Sequence, residues 1–367
     1  MKWDKIITRR KFFKTAGSGA SAGILSASVY LNDASAKAQE EWRLVSAFSK
    51  DSLLASGLES FAESIAAASD GRLSIKIYYA GELVKPVEAM DAVADGKAEM
   101  GYAVPAYWAR KLPATMFLCL MPFGLTAQEK NAWFEYGGGQ EIADKVYAEL
   151  GCKFFPGGSS GAQMGGWFNK EINSISDLEG LKIRIGGPAA AVLKALGAEV
   201  VPLPLHEAPK AFKNGEIDAL ELVGPALDMA AGIHKLAKYY YYPCWQEPGG
   251  VLDLFISKTK WDGLNPTLKA VIKGAATCLN YNLLSSNVAR NSAALTALVE
   301  EHNVRLKQFP NEVLQKFRQV SDEMLHAQAA KDELTGEVLN SIWQFQKQAA
   351  AWSKVSLQPY LKARDKA

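Results

Sequence analysis

Between residues 42 and 48 apolar and polar positions alternate with the period of two that a strand requires. From 53 to 68 the apolar residues recur at helical spacing, until Asp70-Gly71 stops them. The same alternation predicts a strand at 73–79, a helix at 87–94 ended by Asp95-Gly96, and a strand at 100–104. Strands that alternate with helices imply a mostly parallel sheet covered on both faces. Thr126-Ala127-Gln128-Glu129 has the reciprocal capping pattern of a helix start, and helices are expected to run to Leu150 with a glycine break at 137–139. A strand at 153–155 then leads into Gly157-Gly158-Ser159-Ser160-Gly161, the expected first crossing between domains. Its glycines suit either a hinge or a plain surface loop.

At Met164 the alternation restarts. Strands are predicted at 164–168, 181–185, 199–202 and 217–222, with helices at 188–196 and 206–214, and these complete a second α/β sheet. A strand at 251–256 is expected to return to the first domain. The remainder is helical, 266 to about 302, 311 to about 331 and 333–362, with a short strand at 305–309. Two open sheets facing each other leave a cleft outside the carboxyl ends of their strands. The expected fold class is therefore α/β, and the architecture resembles a two-lobed periplasmic binding protein with extra C-terminal helices. Lobe I would hold 39–160 with a return segment of about 251–305, lobe II 161–250, and the C-terminal helical segment 306–367.

The first 38 residues change the picture of the compartment. Arg9-Arg10 precedes a weakly apolar run from Ala16 to Leu31 and small residues at Ala34, Ala36 and Ala38, the pattern of a twin-arginine export signal cleaved after Ala36 or Ala38. A membrane anchor needs about 20 strongly apolar residues, whereas Gly, Ser and Ala dominate here. The mature protein is expected to be free in the periplasm. Residues 1–38 hold seven Lys or Arg and two Asp or Glu, so the formal +2 of the full chain becomes −3 without them. No basic field is left for nucleic acid or an anionic membrane. The four cysteines, Cys119, Cys152, Cys244 and Cys278, lie far apart without a CxxC pair, and buried free thiols are expected.

Enzyme signatures are weak. There is no GxGxxG opening a helix, no phosphate loop and no HExxH, and His206, His234, His302 and His326 lie apart. The Gly157–Gly161 run invites confusion with a nucleophile turn, but it leads into a strand. Binding chemistry is better represented. Arg184, at a strand end beside Gly186-Gly187, offers a flat fork of donors that meets both oxygens of a carboxylate, or else forms a structural salt bridge. Gln163, Glu221 and Asp253 stand at ends of predicted strands and carry the oxygens that hard cations prefer. Tyr107 and Trp108 follow the third strand, and Tyr239 to Tyr242 with Trp245 are read mainly as core packing.

The string SxxDLxGLKIR ending at Arg184, after an apolar strand and before a second apolar run, resembles the solute receptors of tripartite ATP-independent periplasmic (TRAP) transporters. Trp42-Arg43-Leu44, Ala80-Gly81-Glu82-Leu83, Met121-Pro122-Phe123 and Ile217-Asp218-Ala219 extend the resemblance over most of the chain. GAQMGGWF at 161–168, with YYYYP later, is similar to the branch that binds 2-oxo or 2-hydroxy monocarboxylates together with a metal ion. The resemblance implies a receptor that captures pyruvate, another 2-oxo acid or lactate and hands it to membrane permease subunits. The alternatives are another organic acid or a receptor for an ATP-driven importer. It further implies that Arg184 clamps the carboxylate, and that Gln163, Glu221 and the backbone carbonyl of Leu222 hold the metal. Tyr107, beside Trp108, is expected to donate to the 2-oxo or 2-hydroxy oxygen. Asp253 is either a further ligand, which favours Ca²⁺ over Na⁺, or a surface acid. The C-terminal helices imply a homodimer, and an intrachain brace fits the residues equally well.

Overall fold

The computed structural model describes residues 40–203 and 207–365. The predicted export signal, its cleavage positions and the predicted helix start at His206 lie outside the described residues. Among the described residues eleven strands form two sheets. They are β1 (Glu40–Ser46), β2 (Leu73–Tyr78), β3 (Met100–Ala103), β4 (Cys152–Gly161), β5 (Gly166–Phe168), β6 (Lys182–Arg184), β7 (Glu199–Val200), β8 (Ala219–Leu220), β9 (Tyr239–Tyr242), β10 (Gly250–Ser257) and β11 (Arg305–Gln308). The first sheet has the order β2-β1-β3-β10-β4 and the second β11-β9-β5-β8-β6-β7.

Both sheets are mixed, not mostly parallel as expected. β1 pairs in parallel with β2 and β3, but β10 runs antiparallel to β3 and β4. In the second sheet β5 is antiparallel to β8 and β9. The exceptions lie where the chain changes lobes: a strand that carries the chain out and one that brings it back run in opposite senses.

Each sheet is buried on both faces because successive residues serve opposite sides. Leu44 packs into one core of lobe I and Val45 into the other. In lobe II Phe168 and Tyr241 face one core while Trp167 and Tyr240 face the other.

The glycine run Gly157–Gly161 is neither a hinge loop nor a surface loop. It is the buried end of β4, paired with β10 through Gly158↔Leu252 and Ser159↔Val251. Its glycines serve close packing: a Cβ on Gly158 would stand 2.4 Å from Leu283 Cδ2, and one on Gly157 2.9 Å from both Leu254 N and the Tyr102 ring. The run has the GxSxG spacing of a nucleophile turn, yet Ser159 is buried within the strand and its Oγ donates to the Gly250 carbonyl at 2.6 Å.

The helix Pro266–Glu300 is started by Asn265, whose side chain accepts from Leu268 N at 3.0 Å. Leu268, Ile272, Leu279 and Leu283 pack it into lobe I, and Leu298 packs its far end into lobe II. Midway, Asn287 Nδ2 donates to the Ser159 carbonyl at 2.9 Å and Asn291 Oδ1 accepts from Ala226 N at 3.0 Å. The helix Asn311–Ala329 adds Val313 and Phe317 to lobe II and Leu325 to lobe I, and Glu333–Val355 adds Val338, Leu339 and Ile342 to lobe I. These two helices are an intrachain brace. The helix predicted over 333–362 breaks at Ser356, and its end leaves Trp352 70% and Tyr360 61% exposed. All four cysteines are free; Cys119 and Cys152 are buried, Cys244 is half-buried and Cys278 exposed. Among the described residues no helix is long and apolar enough to cross a membrane.

Candidate functional site

Strand ends of both lobes converge on a cavity of about 320 Å³. Gln163 follows β4, Arg184 closes β6, Glu221 and Leu222 follow β8, and Tyr107 lies in the short turn after β3. The sequence thus identified five of its residues. Phe48, Leu54, Met116 and Leu120 supply an apolar wall, and a wider space continues outward past Tyr107, Arg184 and Leu222.

The backbone fixes Arg184 against Glu221. β6 and β8 pair Arg184 with Leu220, and Glu221 N donates to the Arg184 carbonyl at 2.9 Å. The guanidinium then reaches over: Nη1 donates to the Glu221 carbonyl at 2.6 Å and Nε to the Leu203 carbonyl at 3.2 Å. Its approach to the Glu221 carboxylate is only 3.7 Å, too long for a hydrogen-bonded pair. The side chain is 14% exposed, and among the described residues Nη2 has no hydrogen-bond partner. The fork is held by carbonyls while part of it stays available to an anion.

Two residues that the sequence reading missed complete the site, Gln246 and Glu247, both on the segment between β9 and β10. Gly250 makes room for them. A Cβ there would stand 2.3 Å from Glu247 Oε1, 2.6 Å from Ser160 Oγ and 3.2 Å from Gln163 Nε2. Gln163 Nε2 donates to Ser160 Oγ at 3.1 Å and Gln246 Nε2 to the Met164 carbonyl at 2.7 Å, which fixes both amides. The oxygens Gln163 Oε1, Gln246 Oε1 and Glu221 Oε1 are buried without a partner.

Burial pushes the Glu221 carboxyl well above the ordinary carboxylate range, the Glu247 charge adds to this, and Arg184 opposes it. Burial likewise pushes Glu247 up to about 8, against the pull of Lys130, Gln163 and Arg184. Each unsatisfied buried polar atom costs about 1–3 kcal/mol, so three such oxygens beside two mutually repelling acids call for a cation. Two carboxylates with amide and carbonyl oxygens make a hard-cation donor set. Among the described residues no group of three or more His, Cys, Asp or Glu gathers that could hold a metal ion, so amide and backbone oxygens would have to complete the donor set.

Asp253 and Trp108 do not join the site. Asp253 lies in mid-strand opposite Ala103 and Pro156, on the same face as Phe255, and is 0% exposed. Trp108 Nε1 donates to its Oδ2 at 2.8 Å and the Tyr147 hydroxyl donates to the same oxygen. Burial pushes its carboxyl up to about 6. Asp253 is thus a core acid, neither a metal ligand nor a surface acid. Trp108 is committed to holding it and packs edge-on against Phe255 at 5.6 Å. A buried indole needs an acceptor for its N–H, the one sequence signal that could have paired these two. The tyrosine run behaves as core: Tyr240 stacks on Trp167 at 3.8 Å and donates to Asp228, and the Tyr241 hydroxyl accepts from Ile172 N at 2.7 Å.

Residues 44–332 match the model of the bacterial extracellular solute-binding protein family 7, DctP. A monocarboxylate 2-oxoacid-binding periplasmic protein of Nostoc sp. is 37% identical over 351 residues, 95% of this chain and 96% of the relative. A TRAP periplasmic solute binding protein of Colwellia psychrerythraea, solved with bound calcium and pyruvate, is 37% identical with a TM-score of 0.85, covering 89% of this chain and 99% of its own. One from Pseudoalteromonas atlantica, solved with bound sodium and pyruvate, is 40% identical with a TM-score of 0.83, covering 88% and 99%. The two-lobed fold, the strand-end site and these similarities agree: the chain belongs to the DctP family of extracellular solute-binding proteins, the receptors of TRAP transporters.

Proposed function

We propose that the cleft binds a small 2-oxo or 2-hydroxy monocarboxylate, pyruvate, another 2-oxo acid or lactate, jointly with a metal cation, and that the loaded receptor delivers it to the membrane permease subunits. The observation that carries this reading is the meeting of Arg184's fork with the orphaned oxygens Gln163 Oε1 and Glu221 Oε1 in one cavity. The ligands of the Colwellia and Pseudoalteromonas relatives support it. Gln163, Glu221, Glu247 and the Leu222 carbonyl would hold the cation, which supplies a positive centre for the carboxylate and 2-oxygen of the substrate. Arg184 orients the carboxylate from the other side, and the Tyr107 hydroxyl donates to the 2-oxygen. The walls of Leu54, Met116 and Leu120 exclude water and limit the length of the side chain.

Ca²⁺ is favoured over Na⁺, because Glu221, Glu247 and the substrate carboxylate together outweigh Arg184. Calorimetric titration of ligand-free protein with pyruvate, a branched 2-oxo acid and lactate, each with Ca²⁺, with Na⁺ and with chelator, tests the reading. Metal-dependent binding of one of them is expected; binding of none under any condition, or binding indifferent to chelator, would refute it.

Residues 1–38 are proposed to be a twin-arginine export signal, which N-terminal sequencing of the periplasmic protein checks. The exposed Trp352 and Tyr360 support a homodimer through the C-terminal helices, which light scattering checks. Lobe I is assigned to 39–160 with 251–305, lobe II to 161–250 and the C-terminal segment to 306–367, an assignment supported by the two sheets and their cores.

A further inference from the structure

The buried charges around the cleft extend one layer behind the cavity wall. Lys130 lies on the helix Ala127–Tyr136, whose start is fixed by the capping box of Thr126 with Glu129. The lysine is 2% exposed, and its Nζ donates to the Cys119 carbonyl at 2.8 Å. A carbonyl satisfies one N–H but not the charge, and a buried ammonium is stable only with a counter-charge.

Glu247 answers it. The start of the lysine's helix and the segment that carries Glu247 are in the closest backbone contact: a Cβ on Gly249 would stand 2.6 Å from the Leu125 carbonyl oxygen and 2.7 Å from Ala127 N. Burial lowers the Lys130 ammonium to about 8, and the charge of Glu247 opposes that fall. In return Lys130 leads the influences that oppose the upward push on Glu247. Lys130 is not among the residues that line the cavity. It touches neither substrate nor cation, and its influence passes through Glu247.

We propose that Lys130 is a positioning residue that sets the valence preference of the cation site, weakening the advantage of a divalent over a monovalent ion. This rests on the metal-assisted reading of the cleft. Glu221, Glu247 and a bound carboxylate carry three negative charges against the single positive charge of Arg184, an excess of two that one divalent ion neutralises. Lys130 reduces that excess to one, which brings a monovalent ion into range. The Coulomb term of a fixed charge scales with the charge of the ion it repels. Removing Lys130 therefore strengthens divalent binding by the square of the factor for a monovalent ion. At the effective dielectric of a protein site the expected factors are about tenfold for Na⁺ and about a hundredfold for Ca²⁺.

The test uses the whole mature protein and pyruvate as the probe, with calorimetric affinity measured across a series of Na⁺ and a series of Ca²⁺ concentrations. Lys130→Met keeps the apolar length of the side chain, Lys130→Gln keeps a donor for the Cys119 carbonyl, and Lys130→Arg keeps the charge. In the two neutral variants the half-saturating Ca²⁺ concentration should fall much further than that of Na⁺, moving their ratio about tenfold; Lys130→Arg should leave the ratio as in the parent. If one neutral variant does not fold, the other decides. A ratio within about twofold of the parent in a folded neutral variant overturns the proposal, and so does Lys130→Arg moving it as far as Lys130→Met. A parent protein in which neither ion affects pyruvate binding overturns the metal reading and this inference together, an outcome distinct from an ion-dependent parent with an unchanged ratio in the variants.

Discussion

In lobe I Asp253 accepts hydrogen bonds from Trp108 and Tyr147, and in lobe II Asp228 accepts them from Trp167, Tyr240 and the backbone of Val223. Each core thus buries an acid dressed by an indole and a phenol. In the cleft between them Glu221 and Glu247 are also desolvated, but among the described residues no aromatic donor reaches them, and Glu221 Oε1 has no partner. Asp253 also keeps one bare oxygen, Oδ1, yet it does not line the cavity. Burial alone therefore does not distinguish a structural acid from a functional one. The donors around it do: the core acids tie their lobes together, and the cleft acids keep their oxygens for something absent from the fold.

The strongest way to break this contrast is to remove the cleft's fixed cation. Arg184→Ala should weaken pyruvate binding by about a hundredfold or more, as expected when one member of a buried charge pair is lost, while circular dichroism shows an intact fold; unchanged affinity would end its role as the clamp. Next in size, Glu221→Gln should weaken metal and substrate together, by about ten- to a hundredfold, and make the residual binding insensitive to chelator. The core acids should do the reverse. Asp228→Asn and Asp253→Asn should each lower the stability to denaturant by about 1–3 kcal/mol and leave pyruvate affinity within about twofold, because neither carboxylate reaches the cavity.

The smallest effect is in the pH dependence. An acid whose pKa is raised by folding holds its proton longer in the folded than in the unfolded chain, so stability falls as pH rises between the two values. For Asp228 and Asp253 that window runs from 3.8 to about 6, and for Glu247 from 4.5 to about 8. Thermal melts of metal-free protein should therefore decline from pH 4 to 8. Added Ca²⁺ should remove most of the decline above about pH 6, where the raised cleft acids make the main contribution to it, and leave most of the part below it. A decline above pH 6 that Ca²⁺ does not alter would mean that Glu247 is dressed like the core acids.

The sequence made the sheets legible because alternation in 42–48 and 100–104 depends only on neighbours along the chain. Arg184 and Gln163 were legible for a similar reason, each lying within a short motif at a strand end. What escaped depends on distant partners. Asp253 stands 145 residues from the Trp108 indole that claims it, so nothing near it in the chain marks it as a core residue. Glu247 reaches Gln163 because Gly250 lacks a Cβ, a relation visible only once β10 is in place. Gly157 to Gly161 misled because glycines usually mark a loop, whereas here they let the Leu283 side chain and the Tyr102 ring approach the strand.

The helix Pro266–Glu300 has 35 residues, a rod of about 52 Å at the usual rise, with its two ends sunk in different lobes. A rod clamped in this way resists shear and twist between the bodies it joins, and leaves bending as the soft mode. Its middle is pinned by Asn287 to the Ser159 carbonyl and by Asn291 to Ala226, next in sequence to Ser160 and close to Gln163. Gln163, proposed above to hold the cation, therefore sits close to the pinned middle of the rod, away from both of its ends.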